Sequence, residues 1–200
     1  MLIIAVATSK GGSGKTTLTA CLADYWSQAG KQVRCLDTDP NHNLSDQLQD
    51  TAIPCKAITE EEILDAAASA EGDILLIDVA GSLARGMLYA VSVADLVLIP
   101  CKTDRKDVVE AARTQDLIHQ AEKLARRKIA HRAVLTQVNR RAVVTLHTRT
   151  QLDAMVIPTL TAEIPARTAY QQASYLGKPL ADPSVREDIL ALALELEGVM

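Results

Sequence analysis

Short hydrophobic runs alternate with amphipathic stretches along nearly the whole chain. Six of these runs are strand-sized and predict β-strands, and several are apolar at successive positions. That pattern is typical of strands that are covered on both faces in a parallel sheet. The predicted strands are Leu2–Thr8, Gln32–Asp37, Asp73–Asp78, Asp95–Pro100, Arg132–Val138 and Met155–Leu160.

Stretches with helical spacing follow these strands. The predicted helices are Lys15–Gln28, Glu60–Ala70, Ser82–Val93, Asp104–Arg127, Val143–Ala154, Thr168–Leu176 and a last one from Ser184 to about Glu197. Alternating β and α elements predict an α/β fold, doubly wound, with a mostly parallel sheet and helices on both faces. The chain has 200 residues and contains no linker or low-complexity stretch, so residues 1–200 are expected to form a single domain.

Composition narrows the class of protein. No apolar run approaches the roughly 18 residues of a membrane span, and the apolar start at Met1 is interpreted as a first strand rather than a signal peptide. The cysteines include no Cys-x-x-Cys pair, which favours buried small side chains over a disulfide or zinc site and indicates a reducing cytoplasm. They are Cys21, Cys35, Cys55 and Cys101.

The strongest motif is a glycine-rich loop between the first predicted strand and the first predicted helix. It reads Ser9-Lys10-Gly11-Gly12-Ser13-Gly14-Lys15-Thr16-Thr17. Glycines let backbone N–H groups turn inward around phosphates, and the helix dipole adds to that attraction. Lys15 is expected to reach the β- and γ-phosphates and Thr16 to offer its hydroxyl to Mg²⁺. Because Ser9 stands at the first glycine of the ordinary pattern, the matching pattern is Lys-Gly-Gly-x-Gly-Lys-Thr.

Two acidic segments follow neighbouring predicted strands. The first begins at Asp37 and continues through Thr38, Asp39 and Pro40, and its alternative interpretation is an Asp-Pro turn with solvated carboxylates. The second, an apolar strand that ends in Asp78, has the Walker B arrangement, in which the carboxylate accepts from Mg²⁺-bound water. Ligands bind at the carboxyl ends of strands in such sheets, so both segments are expected near the glycine-rich loop.

These motifs together resemble the deviant Walker A ATPases of the ParA/MinD group. The resemblance implies that ATP and Mg²⁺ are the cofactors and that Lys10 reaches across a nucleotide-sandwich homodimer to the partner's phosphates. It further implies that Asp37 supports the Mg²⁺ shell and that Asp39 positions or polarises the attacking water. Two departures from the family pattern, Asn41 in place of Gln and Val79-Ala80 in place of Thr-Pro, affect the two switch segments.

The predicted site follows from the loop, the acidic segments and this resemblance. Its catalytic residues are Lys10, Lys15 and Asp39, and its metal residues are Thr16, Asp37 and Asp78. Its nucleotide-binding residues are Lys10, Gly11, Gly12, Ser13, Gly14, Lys15, Thr16, Thr17, Gly81 and Asn139. Gly81 would let a backbone N–H approach the γ-phosphate. Asn139 stands where relatives place an adenine-contacting residue, and a loop cap is its alternative role.

Charge is distributed unevenly along the chain. Residues 102–149 hold 12 of the 21 Lys and Arg residues but 5 of the 25 Asp and Glu residues, a local excess of seven positive charges. Nonspecific DNA affinity comes mainly from Lys and Arg that neutralise phosphates, and an aromatic content of 2% disfavours stacking on single strands. The candidate duplex contacts are Lys123, Arg126, Arg127, Lys128 and Arg132, with Arg140, Arg141 and Arg149 as further candidates. For each residue the alternative is a solvated helix face.

Three functions stay open at this point. The resemblance to ParA proteins implies a cytoplasmic, nucleoid-associated ATPase whose ATP dimer binds duplex DNA and whose hydrolysis is stimulated by a ParB-like adaptor that carries the cargo. Because the first strand begins at Leu2, the short ParA type without an operator-binding arm is expected. A MinD-like membrane cycle is disfavoured by an acidic predicted last helix, and a metabolic or metal-cluster role by the cysteine spacing.

Overall fold

A seven-stranded sheet forms the centre of the molecule in the computed structural model, which describes residues 1–81, 84–139 and 142–199. The strands are β1 (Leu2–Val6), β2 (Val33–Asp37), β3 (Cys55–Ala57), β4 (Ile74–Asp78), β5 (Leu96–Lys102), β6 (Ala130–Val138) and β7 (Thr159–Pro165). Their order is β3-β2-β4-β1-β5-β6-β7, and every pairing is parallel.

Eight helices of the described residues cover both faces of this sheet. They are α1 (Lys15–Gln28), α2 (Asn43–Leu48), α3 (Ile63–Ala68), α4 (Ala84–Val93), α5 (Arg105–Ala125), α6 (Val143–Ala154), α7 (Thr168–Tyr175) and α8 (Pro183–Glu197), with a 3₁₀ turn at Glu60–Glu62 before α3. Alternate residues of β1 enter opposite cores: Ile4 packs in the core under α1, α2, α7 and α8, and Ala5 packs in the core under α3 to α6. The predicted doubly wound α/β fold is confirmed.

The last predicted strand, Met155–Leu160, is placed too early in the chain and overlaps the observed strand only at Thr159 and Leu160. Met155 instead caps α6, and Val156 has a φ of 57°, a left-handed conformation that ends the helix and cannot belong to a strand. The true strand β7 begins at Thr159 and continues to Pro165, and it forms one edge of the sheet. The apolar run Met155-Val156-Ile157 misled the prediction because periodicity alone cannot separate a short strand from a helix end.

Two short elements were not predicted. Helix α2 and strand β3 have six and three residues, too few for a hydrophobic period to be visible in the sequence. Strand β3 occupies the other edge of the sheet, and two of its three side chains are exposed, so it lacks the apolar pattern of the central strands. Helix α2 is important for the site because it begins beside the first acidic segment.

Candidate nucleotide site

The predicted motifs meet at the carboxyl edge of the sheet. Strand β4 lies between β1 and β2, and in these pairings Asp78 is in register with Val6 on one side and with Asp37 on the other. The glycine-rich loop follows β1, and the two acidic segments follow β2 and β4. The topology therefore places all three motifs side by side, as the sequence predicts.

The end of β6 holds the glycine-rich loop in place through two hydrogen bonds. Gly12 and Gly14 have φ angles of 70° and 97°, left-handed conformations that favour glycine. The Thr136 hydroxyl donates to the Ser13 carbonyl at 2.8 Å, and the Gln137 amide donates to the Gly12 carbonyl at 3.1 Å. Neither anchor was predicted, because nothing in the β6 segment marks its last residues as neighbours of the loop.

Lys15 closes the loop on itself. Its ammonium donates to the Lys10 carbonyl at 2.9 Å, and burial lowers the pKa of Lys15, an effect that the nearby charges of Asp78 and Asp39 oppose. Gly81 packs tightly against the same ammonium: a Cβ there would lie 3.1 Å from Lys15 Nζ and 3.0 Å from the Ser9 carbonyl oxygen. A larger residue there would have to displace one of these neighbours, so the second acidic segment lies close against the lysine that is predicted to hold phosphates.

The surroundings of Asp78 suit a divalent cation. Thr16 Oγ1 donates to Asp78 Oδ2 at 2.6 Å, whereas Asp78 Oδ1 is buried with no hydrogen-bond partner among the described residues. Burial raises the pKa of Asp78 to about 7. A hydroxyl and one carboxylate beside a phosphate loop are the protein ligands that Mg²⁺ commonly uses, together with water and phosphate oxygens. The residues present therefore fit the Mg²⁺ ion of an ATP site.

Asp37 also caps a helix, a role that its sequence context does not predict. It is fully buried, and its Oδ2 accepts from the backbone N–H groups of Leu44 and Ser45, both at 3.0 Å, at the start of α2. Its Oδ1 accepts from the backbone N–H of Asp39 at 3.0 Å. Asp37 thus caps α2 while lying beside Asp78, and its part in the Mg²⁺ shell stays a prediction.

Asp39 is half-buried and lies in a turn of its own making. Its Oδ1 accepts from the backbone N–H of Asn41 at 2.9 Å and from the Asn41 side-chain amide at 3.0 Å. Its other carboxylate oxygen has no hydrogen-bond partner within the described part of the chain. Here Asn41, which departs from the family pattern, orients the predicted water-positioning carboxylate.

Lys10 points away from its own loop and towards the start of α5. Its ammonium pairs with the buried carboxylate of Asp107 and, at 3.2 Å, with Asp104, and hydrogen bonding to Asp107 raises the pKa of Lys10. Next to it, the Ser9 hydroxyl donates to Glu110. Three acidic residues spaced three apart on one helix face therefore hold the beginning of the loop. That spacing is visible in the sequence, but Asp107 and Glu110 were not among the predicted site residues.

A cavity of about 620 Å³ opens beside the loop, and it suits the base and sugar of a nucleotide. It is lined by Gly14 and Thr17 from the loop, Thr136 and Gln137 from β6, and residues of the segment from Ile164 to Tyr175. Asn139 does not line it. The Asn139 main-chain carbonyl accepts from Ala142 N and Thr145 Oγ1 at the start of α6, and the role of its side chain stays a prediction.

The predicted DNA contacts separate into different environments. Lys123, Arg126 and Lys128 are exposed, and with His119, Glu122 and Arg127 they line a shallow cavity of about 490 Å³ where α5 leads into β6. The Lys128 ammonium pairs there with Glu122 at 3.3 Å. Connections from a helix into a parallel strand lie at the amino edge of the sheet, so this basic cluster is opposite the glycine-rich loop. We call Lys123, Arg126 and Lys128 the basic cluster below.

The remaining basic candidates have structural partners or fall outside the description. Arg127 donates to the carbonyls of Ser92 and Ala94 at 2.8 and 2.7 Å, which ties α5 to the end of α4. Arg149 pairs with Glu163 at 2.7 Å, and Arg132 donates to the carbonyl of its neighbour His131. Arg140 and Arg141 lie outside the described residues. Arg127 and Arg149 are therefore poor candidates for DNA contacts, because their guanidinium groups already bind other parts of the chain.

The last helix also bears on the membrane alternative. Val185, Ile189, Leu192 and Leu196 of α8 are buried in the core that contains α1, so the apolar face of this helix is already occupied. Within the described residues, no helix is both long enough and apolar enough to cross a membrane.

Comparisons with known proteins agree with this site. The family model described as the CobQ/CobB/MinD/ParA nucleotide binding domain matches residues 4–180. Protein ParA of Rhizobium radiobacter is 30% identical over 206 residues, which cover 98% of this chain and 92% of that relative. The maintenance of carboxysome distribution protein A of Halothiobacillus neapolitanus is 26% identical over 183 residues, covering 87% of this chain and 84% of the relative.

A solved structure shares the fold at low identity. The complex of Cyanothece McdA with ATP has a TM-score of 0.82 and 18% identity, and the alignment covers 98% of this chain and 96% of that one. The fold, the paired loop and acidic segments, and the family match over most of the chain lead to one conclusion. The chain belongs to the CobQ/CobB/MinD/ParA nucleotide-binding family, in its ParA/MinD branch of ATPases, for which ATP and Mg²⁺ are the cofactors.

Proposed function

We propose that this protein is a Mg²⁺-dependent ATPase of the partition type. In this proposal its ATP-bound homodimer binds duplex DNA without sequence preference, and a ParB-like adaptor that carries a cargo stimulates hydrolysis. One observation carries the proposal. The ammonium of Lys15 bonds to the glycine-rich loop, whereas the ammonium of Lys10, at the start of the same loop, pairs with α5 instead. The relationship to protein ParA of Rhizobium radiobacter supports the partition role.

The chemistry of hydrolysis assigns a task to each polar group of the site. Mg²⁺, when bound, would neutralise charge on the β- and γ-phosphates. Thr16 and Asp78 would hold the ion, and Lys15 would offset charge on the transferring group from within the loop. Asp39 is the one acidic residue of the first segment that is only half-buried, so it is the residue that can accept a hydrogen bond from the attacking water.

Dimerisation would give Lys10 its task. Lys10 begins the loop, and its ammonium lies against α5 rather than over the loop, so a partner's phosphates are its more direct target. Moving it there breaks the ion pair with Asp107, and leaving a buried carboxylate without its cation is costly. The ATP-bound partner must offset that cost. Because a single subunit has no partner to offset this cost, we expect it to hydrolyse ATP slowly.

The basic cluster would provide the DNA contacts. A sandwich dimer that brings two glycine-rich loops together leaves the opposite, amino edges of both sheets facing outward. Lys123, Arg126 and Lys128 lie at that edge, where they can neutralise backbone phosphates of a duplex. The proposal assigns no base contact to them, in agreement with binding that is independent of sequence.

A membrane partner is the second candidate, since the family includes MinD proteins. The exposed residues of α8 include Leu190 and Leu194, but Glu187 and Glu195 lie on the same helix and would be repelled by anionic lipid. The buried apolar face of α8 is a further argument against membrane insertion, because it would first have to leave the core. Duplex DNA is therefore the favoured surface.

Pelleting with each surface tests the proposal. The full chain is centrifuged with long duplex DNA or with anionic liposomes, each in the presence of ATP or ADP and Mg²⁺. We expect ATP-dependent retention on DNA and none on liposomes. Reversal of Lys123 and Arg126 to Glu should reduce retention. Reversal of Lys56 and Lys178 makes the same change in net charge at exposed positions outside the connection from α5 to β6, and it should not reduce retention. ATP-dependent retention on liposomes alone would replace the DNA function with the membrane one.

A further inference from the structure

The side chain of Thr38 joins the two acidic segments. Thr38 is 3% exposed and stands between Asp37 and Asp39. Its hydroxyl donates to the carbonyl oxygen of Asp78 at 3.0 Å and accepts from the backbone N–H of Ala80 at 2.9 Å. One buried hydroxyl thus bonds to residues on both sides of Val79 in the second segment.

This bridge replaces a main-chain contact that the sheet cannot make. The pairing of β2 with β4 ends at Asp37 and Asp78, and the ladder is extended by a bond from Thr38 N to the Asp78 carbonyl at 3.1 Å. Beyond that point the first segment turns towards α2, and the N–H of Ala80 bonds to a side-chain oxygen instead of a carbonyl. The link between the segments past the strand ends therefore depends on the identity of residue 38.

Both ends of the bridge reach the nucleotide site. Ala80 precedes Gly81, which is packed closely against Lys15 Nζ and the Ser9 carbonyl. Thr38 precedes Asp39, the predicted water-positioning residue, and follows Asp37, which caps α2. If a γ-phosphate displaced Gly81, Ala80 would move with it. The hydrogen bond from Ala80 to the Thr38 hydroxyl would then shift Asp39 and the start of α2.

We propose that Thr38 is a positioning residue that couples the two switch segments, so that Asp39 moves into place only when Gly81 responds to the γ-phosphate. This inference rests on the proposed ATPase function and deepens it. Thr38 does not line the cavity beside the loop, and it acts through the backbone of its neighbours. The hydroxyl is the essential group, because the methyl group of threonine could pack equally well in valine.

Two substitutions in the full chain test the coupling. Thr38→Val keeps the shape and removes the hydroxyl, and Thr38→Ser keeps the hydroxyl. We expect Thr38→Val to bind ATP within about threefold of the unmodified protein while kcat falls about tenfold or more, the signature of an interaction needed for turnover rather than for binding. Thr38→Ser should restore kcat to within about threefold. An unchanged kcat in Thr38→Val, or an equal loss in both variants, would overturn the coupling.

Hydrogen exchange in the unmodified protein provides a test that does not depend on a variant that folds. Amide exchange is followed in residues 39–46 and 76–81 with ADP and Mg²⁺ and then with a non-hydrolysable ATP analogue and Mg²⁺. Coupled segments should gain protection together, and protection of only one segment would contradict the proposal. If the unmodified protein binds nucleotide but does not hydrolyse ATP, the ATPase function fails, while this exchange experiment still decides the coupling.

Discussion

Charged side chains near the two ends of helix α5 lie in different environments. At its beginning, Asp104, Asp107 and Glu110 are paired with Lys10 and Ser9 of the loop. At its end, about 30 Å away by the rise of an α-helix, Lys123 and Arg126 are exposed to solvent. The comparison teaches that charge alone does not identify a functional surface. Partnered charges fix the geometry of a site, and exposed charges are free to bind a new partner.

The loop end of this comparison depends most strongly on Lys15. Lys15→Gln removes the buried ammonium that would neutralise the β- and γ-phosphates, and we expect ATP hydrolysis to fall at least about 100-fold. Nucleotide-dependent behaviour, measured by ATP binding and by retention on DNA, should disappear with it. If Lys15→Gln binds ATP as well as the unmodified protein does, the phosphate-loop assignment is wrong.

The buried carboxylate beside the loop gives the next effect. Asp78→Asn removes a charge whose Oδ1 has no partner among the described residues, so stability without Mg²⁺ at pH 8 should stay the same or rise by about 1 kcal/mol. Mg²⁺-dependent hydrolysis should be lost in the same variant. Urea unfolding with and without Mg²⁺ measures the first part, and a large loss of stability would show that the charge has a structural task instead.

Substitution of Asp39 should lower turnover without weakening ATP binding. Asp39→Ala removes the carboxylate that is predicted to position water, and we expect about a 100-fold lower kcat with ATP binding retained, so that the ATP-bound dimer accumulates. Asp46→Ala, an acidic residue of α2 for which no side-chain contact is found in the described structure, is the matched control. Turnover of Asp39→Ala at the unmodified rate would remove this residue from the mechanism.

Lys10 links the loop end of α5 to the dimer. Lys10→Ala should still bind ATP as a monomer, but ATP-driven dimers, measured by light scattering after size exclusion, should be absent. Removal of the lysine also leaves the buried Asp107 without its ion-pair partner, and the free energy of unfolding should fall by about 1 to 3 kcal/mol. Normal ATP-driven dimers in this variant would contradict a role in trans.

The other end of α5 should give the smallest and most selective effect. Charge reversal of Lys123 and Arg126 to Glu should weaken DNA retention. The slope of log affinity against log salt concentration should become shallower by about 0.9 for each phosphate contact that is lost. Arg127→Ala, by contrast, should lower stability with an unchanged slope, because Arg127 binds the end of α4. Equal slopes for both variants would remove the distinction between exposed and partnered charges.

Much of the fold was predictable because its central elements are strongly patterned. Strand β4 and helix α1 agree closely with prediction, since a fully apolar run and a helix that follows a glycine loop are local signals. The error at Met155–Leu160 and the missed α2 and β3 have a common cause. Short elements at an edge of the sheet are decided by their neighbours, and their own sequence contains too few positions to show a period.

The residues of the candidate site also differ in whether the sequence could predict them. The loop from Lys10 to Thr17 and the acidic segments at Asp37 and Asp78 are contiguous motifs, so their residues could be named from the sequence, although their individual roles stay predictions. The anchors Thr136 and Gln137 could not be named, because they act on the loop from positions 123 and 125 residues away in the sequence. Such contacts depend on strand order, which periodicity does not reveal.

By itself, the sequence determined the fold class, the phosphate loop and the family, because each rests on residues that are neighbours in the chain. Only the tertiary structure decided which charges are free. Arg126 and Arg127 are adjacent, yet a left-handed turn at Arg126 leaves it exposed while Arg127 reaches the carbonyls of α4. Likewise, Lys10 finds Asp107 only because β5 lies beside β1 and brings the start of α5 to the loop. The partner of a side chain is set by packing between distant segments, and local sequence carries no record of it.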